Sequence, residues 1–371
     1  MRVGFDARWY NGSGVGAYVT GLLQALAQRR QDLDLVVYED VRNPVPDLAT
    51  SVERIPLTAG KYSVAEQLEL KQRCVKDGLD VFHSPFYVMP LLAPCPVVVT
   101  VHDVIPFLFR INSWPKQALV KLGYRVAASR AAQIIAVSRN TAADLRKILK
   151  VNPKRIHVVH NGADTKAYHV RPQPREIDHL ALKYGLRAPY VVVASAGNWR
   201  TKNLPNTLKA IELAREKSGK KFQAVVYGPA EGLRQAEAEL GRSLPNCVSA
   251  GYVPAAELGI LFRNAHAFLM PSLYEGFGLP VLEAMSCGCA VITSTGGSLP
   301  EIAGNGAQLF APMDINGMAQ VIASLLLNPA EFTRCRERAR TRAADFSWSK
   351  AAEQTVSVYH LARRRDGVAE K

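Results

Sequence analysis

Residues 269–301 read LMPSLYEGFGLPVLEAMSCGCAVITSTGGSLPE, and this stretch predicts a strand, a glycine-containing turn at 276–278 and a helix. Pro280 suits the first helical position because its missing N–H would be unpaired there in any case. Gly288 can end the same helix. The start of such a helix presents unpaired backbone N–H groups and the positive end of the helix dipole, which together favour a phosphate ligand.

Two glutamates, Glu275 and Glu283, stand on either side of this turn. Glu283 falls inside the predicted helix among apolar residues, where a carboxylate is costly to bury unless another group donates to it. The two hydroxyls of a ribose would supply those donors, and Glu275 can reach a hydroxylated group beyond the phosphates. The spacing alone favours one surface glutamate and one capping glutamate, but the full string argues against that interpretation.

The string Glu-Gly-Phe-Gly-Leu-Pro followed by Leu-Glu-Ala-Met resembles the E-x7-E segment of family 4 glycosyltransferases. The resemblance covers nearly the whole chain and is strongest over 97–110, 134–164 and 195–310. It implies the α/β fold called GT-B, in which two Rossmann-like, doubly wound parallel-sheet domains enclose a deep interdomain cleft. It also implies that the C-terminal helix crosses back onto the first domain.

The alternation of strands and helices along the chain predicts two parallel sheets independently of this resemblance. A length of 371 residues fits two domains of ordinary size. The segment 170–189 carries three prolines and is polar at its start, so it is interpreted as the interdomain linker. We expect an N-terminal acceptor-binding domain over 1–170, joined by a helix within 347–371, and a C-terminal nucleotide-sugar-binding domain over 186–346.

Composition limits the location of the chain and its chemistry. No run of 18 or more apolar residues predicts a spanning helix. The first ten residues, MRVGFDARWY, are typical of a strand and not of a signal peptide, so a cytoplasmic location is expected. The six cysteines lack C-x2-C spacing, which favours neither a zinc site nor a disulfide framework.

The net charge of +14 is concentrated between residues 110 and 155, where eleven Lys and Arg face one acid, Asp144. Lys116, Lys121 and Arg125 alternate with apolar residues after Trp114, a pattern that favours an anionic membrane surface and a peripheral position on its inner face. Nucleic acid is the competing partner, although no known nucleic-acid-binding signature is present. A solvated basic face is the third interpretation.

The first predicted strand runs into a glycine loop over 11–16, which includes Gly14 and Gly16. Glycines at alternate positions let the backbone approach a ligand closely, with a helix start behind it. The loop lacks the G-x-G-x-x-G spacing of dinucleotide-binding proteins, which argues against a dehydrogenase. The resemblance implies that it faces the phosphate and sugar of the donor.

His102 and Asp103 end the predicted strand VVVTVHDV, where residues of parallel strands face the ligand. The string TVHDVIPFLF resembles the mannosyltransferase-like branch of family 4, which implies that His102 lies beside the transferred sugar. Asp103 is expected to orient His102 or to form a hydrogen bond with the backbone.

The segment Asn-Gly-Ala-Asp, which begins at Asn161, resembles the family's hinge motif, although a simple turn explains it equally well.

Lys202 and Arg200 lie on a loop before a helix, where two cations can neutralise a diphosphate. Lys202-Asn203-Leu204 matches the family's Lys-Asn-Leu. Many members carry an arginine five residues before that lysine, where this chain has Gly197, so Arg200 is expected to take its role. With these cations and the helix start, no metal and no separate cofactor are expected, and Asp32-Leu33-Asp34 is interpreted as surface acid.

The predicted function is retaining transfer of a hexose, with mannose favoured, from a GDP- or UDP-linked sugar to a lipid-linked or polysaccharide acceptor. Glu283 would bind the ribose, the two cations the diphosphate, and Glu275 the sugar. The resemblance implies front-face attack with the leaving phosphate as base. Two alternatives stay open, namely a nucleotide-sugar epimerase on the same architecture and a basic nucleic-acid-binding protein. The backbone amides expected on the sugar are those of Gly276, Phe277, Gly278 and Leu279.

Overall fold

A computed structural model describes residues 1–10, 14–29, 31–45, 48, 52–171, 175–195, 198–244 and 246–366. The chain divides into two compact units. The first unit comprises Met1–Gly162 together with Ser347–Lys371, and the second comprises Ala163–Phe346. Each unit is built around its own parallel sheet, as the alternating pattern predicts.

In the described part of the first unit, seven parallel strands form a sheet in the order β3-β2-β1-β4-β5-β6-β7. The strands are β1 Arg2–Asp6, β2 Asp34–Asp40, β3 Glu53–Leu57, β4 Val81–Ser84, β5 Val97–Val101, β6 Gln133–Ala136 and β7 Ile156–Val158. The helices are α1 Gly14–Ala27, α2 Val64–Lys76, α3 Ile105–Leu108, α4 Trp114–Arg130 and α5 Arg139–Ile148, with short 3-10 turns at Ala7–Trp9 and Pro153–Arg155.

The second unit holds six parallel strands among its described residues, in the order β10-β9-β8-β11-β12-β13. The strands are β8 Tyr190–Ala194, β9 Gln223–Tyr227, β10 Cys247–Gly251, β11 Ala267–Met270, β12 Val291–Ser294 and β13 Ala307–Phe310. The helices are α6 Glu176–Tyr184, α7 Leu204–Ser218, α8 Ala230–Leu240, α9 Ala255–Asn264, α10 Leu279–Ser286, α11 Leu299–Ala303, α12 Ile315–Leu327 and α13 Pro329–Ala343.

The last helix, α14 Trp348–Asp366, packs on α1 of the first unit, as the resemblance implies. Two glycines make its start possible. A Cβ on Gly21 would lie 2.1 Å from the ring of Trp348, and a Cβ on Gly162 would lie 2.2 Å from its backbone nitrogen. The C-terminal segment therefore completes the first unit after the chain has built the second.

The central strands have the composition that a covered parallel sheet requires. Every residue of β5 (VVVTV) and of β8 (YVVVA) is buried. Continuous apolar strands of this kind occur where helices cover both faces of a sheet. The side chains on both faces are then buried, so apolar and polar residues do not alternate along the strand. These strands place the core of each unit on its own sheet and confirm the predicted pair of doubly wound domains.

Strand order fixes where a ligand can bind in each unit. In the first unit the chain leaves β1 towards β2 and β3 and then returns to β4 on the other side, and β8 and β11 are related in the same way. Ligands of doubly wound folds bind outside the carboxyl ends of the strands at such a switch point. We therefore expect ligands to bind at the loops after β1 and β4 in the first unit, and at those after β8 and β11 in the second.

The structure differs from the expected linker over 170–189. The second unit begins at Ala163, before this segment, and α6 lies within the segment. Arg263 anchors this helix by donating to both carboxylate oxygens of Glu176 at 3.0 and 2.8 Å, and Leu180 is buried. Residues 172–174, which include two of the three prolines, lie outside the described residues.

Across the described ranges, no helix combines the length and the apolarity needed to cross a bilayer.

Candidate active site

The switch point of the second unit is bridged by an ion pair. Lys202, in the loop after β8, donates from Nζ to Oε1 of Glu275, in the loop after β11, at 2.6 Å. The side chains are only 14% and 13% exposed. Two residues that the sequence singles out 73 positions apart are therefore in direct contact where a ligand is expected to bind.

A tight backbone turn holds Lys202 in place. Its N–H donates to the carbonyl of Asn198, and Asn203 adopts the left-handed conformation with φ of 59° immediately before α7. The carbonyl of Thr201 accepts a hydrogen bond of 2.8 Å from the N–H of Leu273, which ties this loop to the one that carries Glu275. The two loops are therefore joined through the backbone as well as through the ion pair.

Two consecutive glycines after β12 let a third loop pass directly beneath Glu275. A Cβ on Gly297 would lie 2.3 Å from the carbonyl oxygen of Glu275, and a Cβ on Gly296 would lie 2.5 Å from that of Ser272. Ser298 donates to the Glu275 carbonyl from both its N–H and its hydroxyl, each at 3.0 Å. The backbone of Glu275 is thus fixed from below.

The predicted phosphate-binding helix start is present at α10. Gly278 precedes the helix with φ of 91°, which favours glycine, and Leu279 begins it. Within the described residues, the N–H groups of Gly278 and Leu279 donate to no acceptor. Phe277 is buried with its ring 6.1 Å from that of Phe346, so its side chain packs while Gly276 and Gly278 let the chain turn.

Glu283 lies in the middle of α10, partly buried between apolar neighbours. Burial raises the pKa of its carboxyl to about 7, the charge of Asp164 adds to this rise, and a hydrogen bond with Tyr168 opposes it. A carboxylate in such surroundings favours ligand groups that donate hydrogen bonds to it, as the diol of a ribose does.

Arg200 lies on the same loop as Lys202, but its side chain points elsewhere. Its guanidinium stacks 4.4 Å from the ring centroid of Trp199 and lies 3.6 Å from the carboxylate of Glu239, and its side chain is 71% exposed. Residue 197, where many family members have an arginine, lies outside the described residues. The predicted diphosphate-binding role of Arg200 therefore requires its side chain to turn away from these neighbours.

Two buried hydroxyls near the ion pair were not singled out from the sequence. The Tyr227 hydroxyl, at the end of β9, and the Ser272 hydroxyl, after β11, have no hydrogen-bond partner among the described residues. The carboxylates of Glu283 and Glu275 help to raise the pKa of Tyr227 further, after its burial. Both residues lie at or just after the carboxyl ends of parallel strands, and this position is the sequence feature that could have identified them as ligand-facing.

In the first unit, His102 lies just beyond β5 with its ring fixed. Its Nε2 donates to the carbonyl of Pro85 at 2.8 Å, and the ring of Tyr18 packs edge-on at 4.8 Å. Burial lowers the pKa of His102 to about 4. The imidazole is therefore neutral at pH 7, with Nδ1 as a hydrogen-bond acceptor. Asp103 accepts from the N–H of Ile105 at 2.8 Å, the backbone bond that was one of its two expected roles.

A buried hydrogen-bonded chain stands behind His102. His83 Nδ1 lies 2.6 Å from the Tyr359 hydroxyl of α14, and its Nε2 lies 2.8 Å from the Thr100 hydroxyl, which in turn lies 2.8 Å from the Tyr18 hydroxyl. Burial, followed by the nearby His102, lowers the pKa of His83 to about 3. The sequence did not single out this chain because its members are far apart along it.

The remaining predicted positions also lie in the first unit. Gly14 begins α1 and Gly16 lies in its first turn, whereas residues 11–13 of the glycine loop lie outside the described residues. Asn161 is 2% exposed, and its Oδ1 has no hydrogen-bond partner in the described ranges. A simple turn would not explain a buried acceptor without a partner, so the Asn161 side chain is available to a ligand.

Comparison with known proteins agrees with this geometry. The model of a family described as "Glycosyltransferase Family 4" matches residues 12–167, and that of a family described as "Glycosyl transferases group 1" matches residues 180–342. The chain belongs to glycosyltransferase family 4. The two matches fall on the two units, so this family 4 glycosyltransferase carries the family's sequence pattern in both.

The relatives of this family 4 glycosyltransferase include mannosyltransferases. It is 33% identical over 288 residues to the MMP alpha-(1->4)-mannosyltransferase of Mycolicibacterium hassiacum, covering 73% of this chain and 66% of the relative. It is 40% identical over 111 residues to the O-antigen chain mannosyltransferase B of Escherichia coli, covering 30% of this chain and 29% of that protein. The chain thus spans less than two thirds of the length of each relative.

A solved structure supports the GT-B fold of this family 4 glycosyltransferase. Sucrose-phosphate synthase from Thermosynechococcus elongatus superimposes with a TM-score of 0.76 at 21% identity, over 97% of this chain and 98% of that one. At this identity the likeness concerns the fold alone. Among the described residues, no group of three or more His, Cys, Asp or Glu side chains is arranged to hold a metal ion.

Proposed function

We propose that this glycosyltransferase moves a hexose from a nucleotide-diphosphate sugar to a lipid-linked or polysaccharide acceptor, with retention of anomeric configuration and without a metal ion. The observation that carries the proposal is the contact between Lys202 and Glu275 at the switch point of the second unit. It combines a cation for a diphosphate with a carboxylate for a sugar hydroxyl, beside a helix start that offers N–H donors.

The donor site follows from the residues of the second unit. Glu283 accepts hydrogen bonds from the ribose hydroxyls, and their approach favours its ionised form. Lys202 binds the diphosphate as a point charge, and Arg200 adds a second cation once it leaves Glu239. Glu275 and the backbone amides of residues 276–279 bind the hexose. In the first unit, His102 Nδ1 accepts a hydrogen bond from a sugar hydroxyl, because Nε2 is committed to Pro85.

The reaction needs no nucleophile from the protein. The acceptor hydroxyl oxygen forms a bond to the anomeric carbon on the face from which the diphosphate leaves, and the bond from that carbon to the phosphate oxygen breaks. The leaving phosphate takes the hydroxyl proton. Negative charge grows on the diphosphate as the bond breaks, so Lys202 and the amides at the start of α10 stabilise the transition state more than the ground state.

Mannose is the favoured hexose and GDP the favoured nucleotide, with UDP as the alternative. The support is the TVHDVIPFLF string together with the two relatives, both of which carry mannosyltransferase in their names. An epimerase on the same architecture would convert the donor without an acceptor. A nucleic-acid-binding protein would leave Glu275, Glu283 and Lys202 without a role.

The acceptor side of the proposal places α4 of the first unit on an anionic membrane at the cytoplasmic face. Trp114, Leu119 and Leu122 are exposed on this helix, by 74%, 66% and 54%. Lys116 and Arg125 are exposed on the same helix, and Lys121 is partly so. Exposed apolar and basic side chains on one surface helix fit the interface of an anionic bilayer, where a lipid-linked acceptor would be found.

The test is the stereochemistry of the product formed from GDP-mannose in the presence of EDTA. Purified protein is incubated with GDP-mannose and membrane lipid extract, and the new glycosidic bond is assigned by NMR. An α-linked mannoside formed in EDTA supports the proposal. An inverted linkage, a requirement for added metal, or conversion of the donor without any acceptor would each contradict it.

A further inference from the structure

The switch point of the first unit is closed by aromatic side chains that the proposed donor site does not use. Trp9 follows β1 and Phe86 follows β4, and their ring centroids are 4.7 Å apart. Phe86 is in turn 6.5 Å from the ring of His102. An aromatic wall therefore leads from His102 to the crevice where a doubly wound fold binds its ligand.

Buried N–H donors lie at this wall without acceptors. Arg8 is 3% exposed and donates to Asp6 and Glu66, yet its Nη1 has no hydrogen-bond partner in the part of the chain that the structure describes. The same holds for Nε1 of Trp9. Buried donors without partners are costly, so two at adjacent residues call for a ligand that accepts from them.

Tyr62 stands over this wall with a strained backbone. Its φ of 66° is unusual for a bulky residue, and its N–H donates to Oε2 of Glu66 at 2.6 Å. The ring meets Trp9 edge-on at 5.8 Å and is nevertheless 63% exposed. The Arg8–Glu66 network thus holds an aromatic face towards solvent at an energetic cost, a combination that is typical of ligand-binding positions.

The charges of the cluster decide which kind of ligand fits. Lys61 places Nζ 4.6 Å from the ring centroid of Trp9, and burial lowers its pKa. The carboxylates of Asp6 and Glu66 balance the cations Arg8 and Lys61, so the cluster is neutral as a whole. An anion would add an uncompensated charge next to two carboxylates, whereas a neutral ring with hydroxyl oxygens would not.

We propose that Arg8, Trp9, Lys61, Tyr62 and Phe86, here called the Tyr62 cluster, bind a neutral pyranose ring of the acceptor. The apolar face of the ring packs on Tyr62, and the N–H groups of Lys61, Arg8 and Trp9 donate to its oxygens after a small shift of Lys61. This inference rests on the proposed function, since it names the acceptor group that the first unit recognises.

The test measures binding of methyl α-D-mannopyranoside and methyl α-D-glucopyranoside to the full chain by saturation-transfer NMR. Tyr62→Gly removes the ring and relieves the positive φ, so it should keep or raise the melting temperature while weakening the binding of at least one sugar about tenfold. A merely structural tyrosine would not separate these two readouts. Tyr62→Phe retains the ring face and should bind nearly as well as the wild type.

Two controls make the result decisive. Lys150 also has a positive φ, of 55°, and Lys150→Gly should leave sugar binding unchanged. Glu275→Gln reports any binding of the same sugars at the donor loop. The inference is overturned if the wild type binds neither sugar, if Tyr62→Gly binds as well as the wild type, or if only Glu275→Gln loses binding. Inorganic phosphate that displaces the sugar, or that binds while neither sugar does, would indicate an anion site. Either result would also overturn the inference.

The outcome is separate from that of the proposed function because no nucleotide is used. Loss of nucleotide-sugar binding in a parallel experiment would contradict the donor site while leaving the sugar result interpretable.

Discussion

Nζ of Lys202 lies 2.6 Å from Oε1 of Glu275, and this contact joins the loops that follow β8 and β11 at the switch point of the second unit. Both side chains are largely buried, so water solvates neither charge well and each is stabilised mainly by the other. Breaking a buried pair by removing one member leaves an uncompensated charge, which gives each residue a structural effect as well as a proposed role in binding.

Lys202→Ala should reduce kcat by about two orders of magnitude or more, because charge on the departing diphosphate grows in the transition state. Lys202→Arg should restore only part of the rate, since a planar guanidinium differs from a point charge in geometry. Steady-state kinetics with a fixed acceptor measures both. The double variant Lys202→Ala/Glu275→Gln controls for the unpaired carboxylate, and wild-type turnover in Lys202→Ala would remove the lysine from the mechanism.

Glu283→Gln should change nucleotide affinity in a pH-dependent manner. The wild-type carboxyl has a pKa of about 7, so it becomes a better acceptor for ribose hydroxyls as the pH rises from 6 to 8. GDP should therefore bind the wild type more tightly than the variant at pH 8, and the difference should shrink at pH 6. Calorimetry at the two pH values compares both proteins, which cancels titration of the nucleotide itself. A constant ratio would contradict the ribose assignment.

The same substitution should affect stability with a definite sign. The folded pKa of Glu283 exceeds its ordinary value of 4.5, so the ionised carboxylate opposes folding above that value and most strongly above pH 7. Glu283→Gln should stabilise the second unit at pH 8 by about 3 kcal/mol, with little change at pH 4.5. Hydrogen exchange of the β11 and β12 amides localises the effect, and stabilisation that is equal at both pH values would contradict it.

Acid should destabilise the first unit through its buried histidines. The pKa values of His83 and His102 are about 3 and about 4, below the ordinary value of 6.5. The free energy of unfolding that the two neutral imidazoles supply is therefore complete above pH 6.5 and is lost as the pH falls below that value. Each should cost about 2 kcal/mol at pH 5. His83→Gln should be less stable than the wild type at pH 7 but should show a shallower loss down to pH 5. Hydrogen exchange of the β4 and β5 amides measures the stability of the first unit as the pH falls. If stability depends on pH as steeply in His83→Gln as in the wild type, His83 does not cause the loss.

The basic surface of α4 should govern membrane binding. Lys116, Lys121 and Arg125 changed together to Glu should lower binding to phosphatidylglycerol liposomes, since each cation near such a surface contributes about 1 kcal/mol. Nucleotide affinity should not change. The matched control reverses Lys209, Lys217 and Lys220 of the second unit to Glu, and it should leave liposome binding intact. Wild-type protein that ignores anionic liposomes at low salt would favour a soluble acceptor.

Local sequence patterns were sufficient for most of the fold. The apolar runs of β5 and β8 predict those strands, because propensity and burial agree in them. Pro280 and Gly288 predict the ends of α10 to within two residues. The edge strand β3 has only a weak sequence signal, because only Ile55 and Leu57 are buried in ERIPL and a proline lies between them. Proline is tolerated at such an edge, where one side of the strand has no pairing partner.

The candidate site was predictable only where its chemistry is local. Glu283 and His102 stand out by their positions on a helix and at a strand end. The Lys202–Glu275 contact, the His83–Thr100–Tyr18 chain and the Arg8–Glu66 network depend on residues that are far apart in sequence, and only the fold brings them together. The positive φ of Tyr62 is not evident from the sequence, even though Glu66, which accepts from its N–H, lies only four positions away.

Calorimetric titration with GDP-mannose, UDP-glucose and ADP-glucose is the decisive measurement for the donor site. We expect the wild type to bind at least one of them in EDTA, with GDP-mannose the tightest. Glu283→Ala should weaken that affinity about tenfold or more through loss of two charge-assisted hydrogen bonds. The Tyr62→Gly protein should bind the nucleotide sugar as the wild type does. Absence of binding by every nucleotide sugar, or equal affinity in Glu283→Ala, would contradict the assignment of the second unit as the donor site.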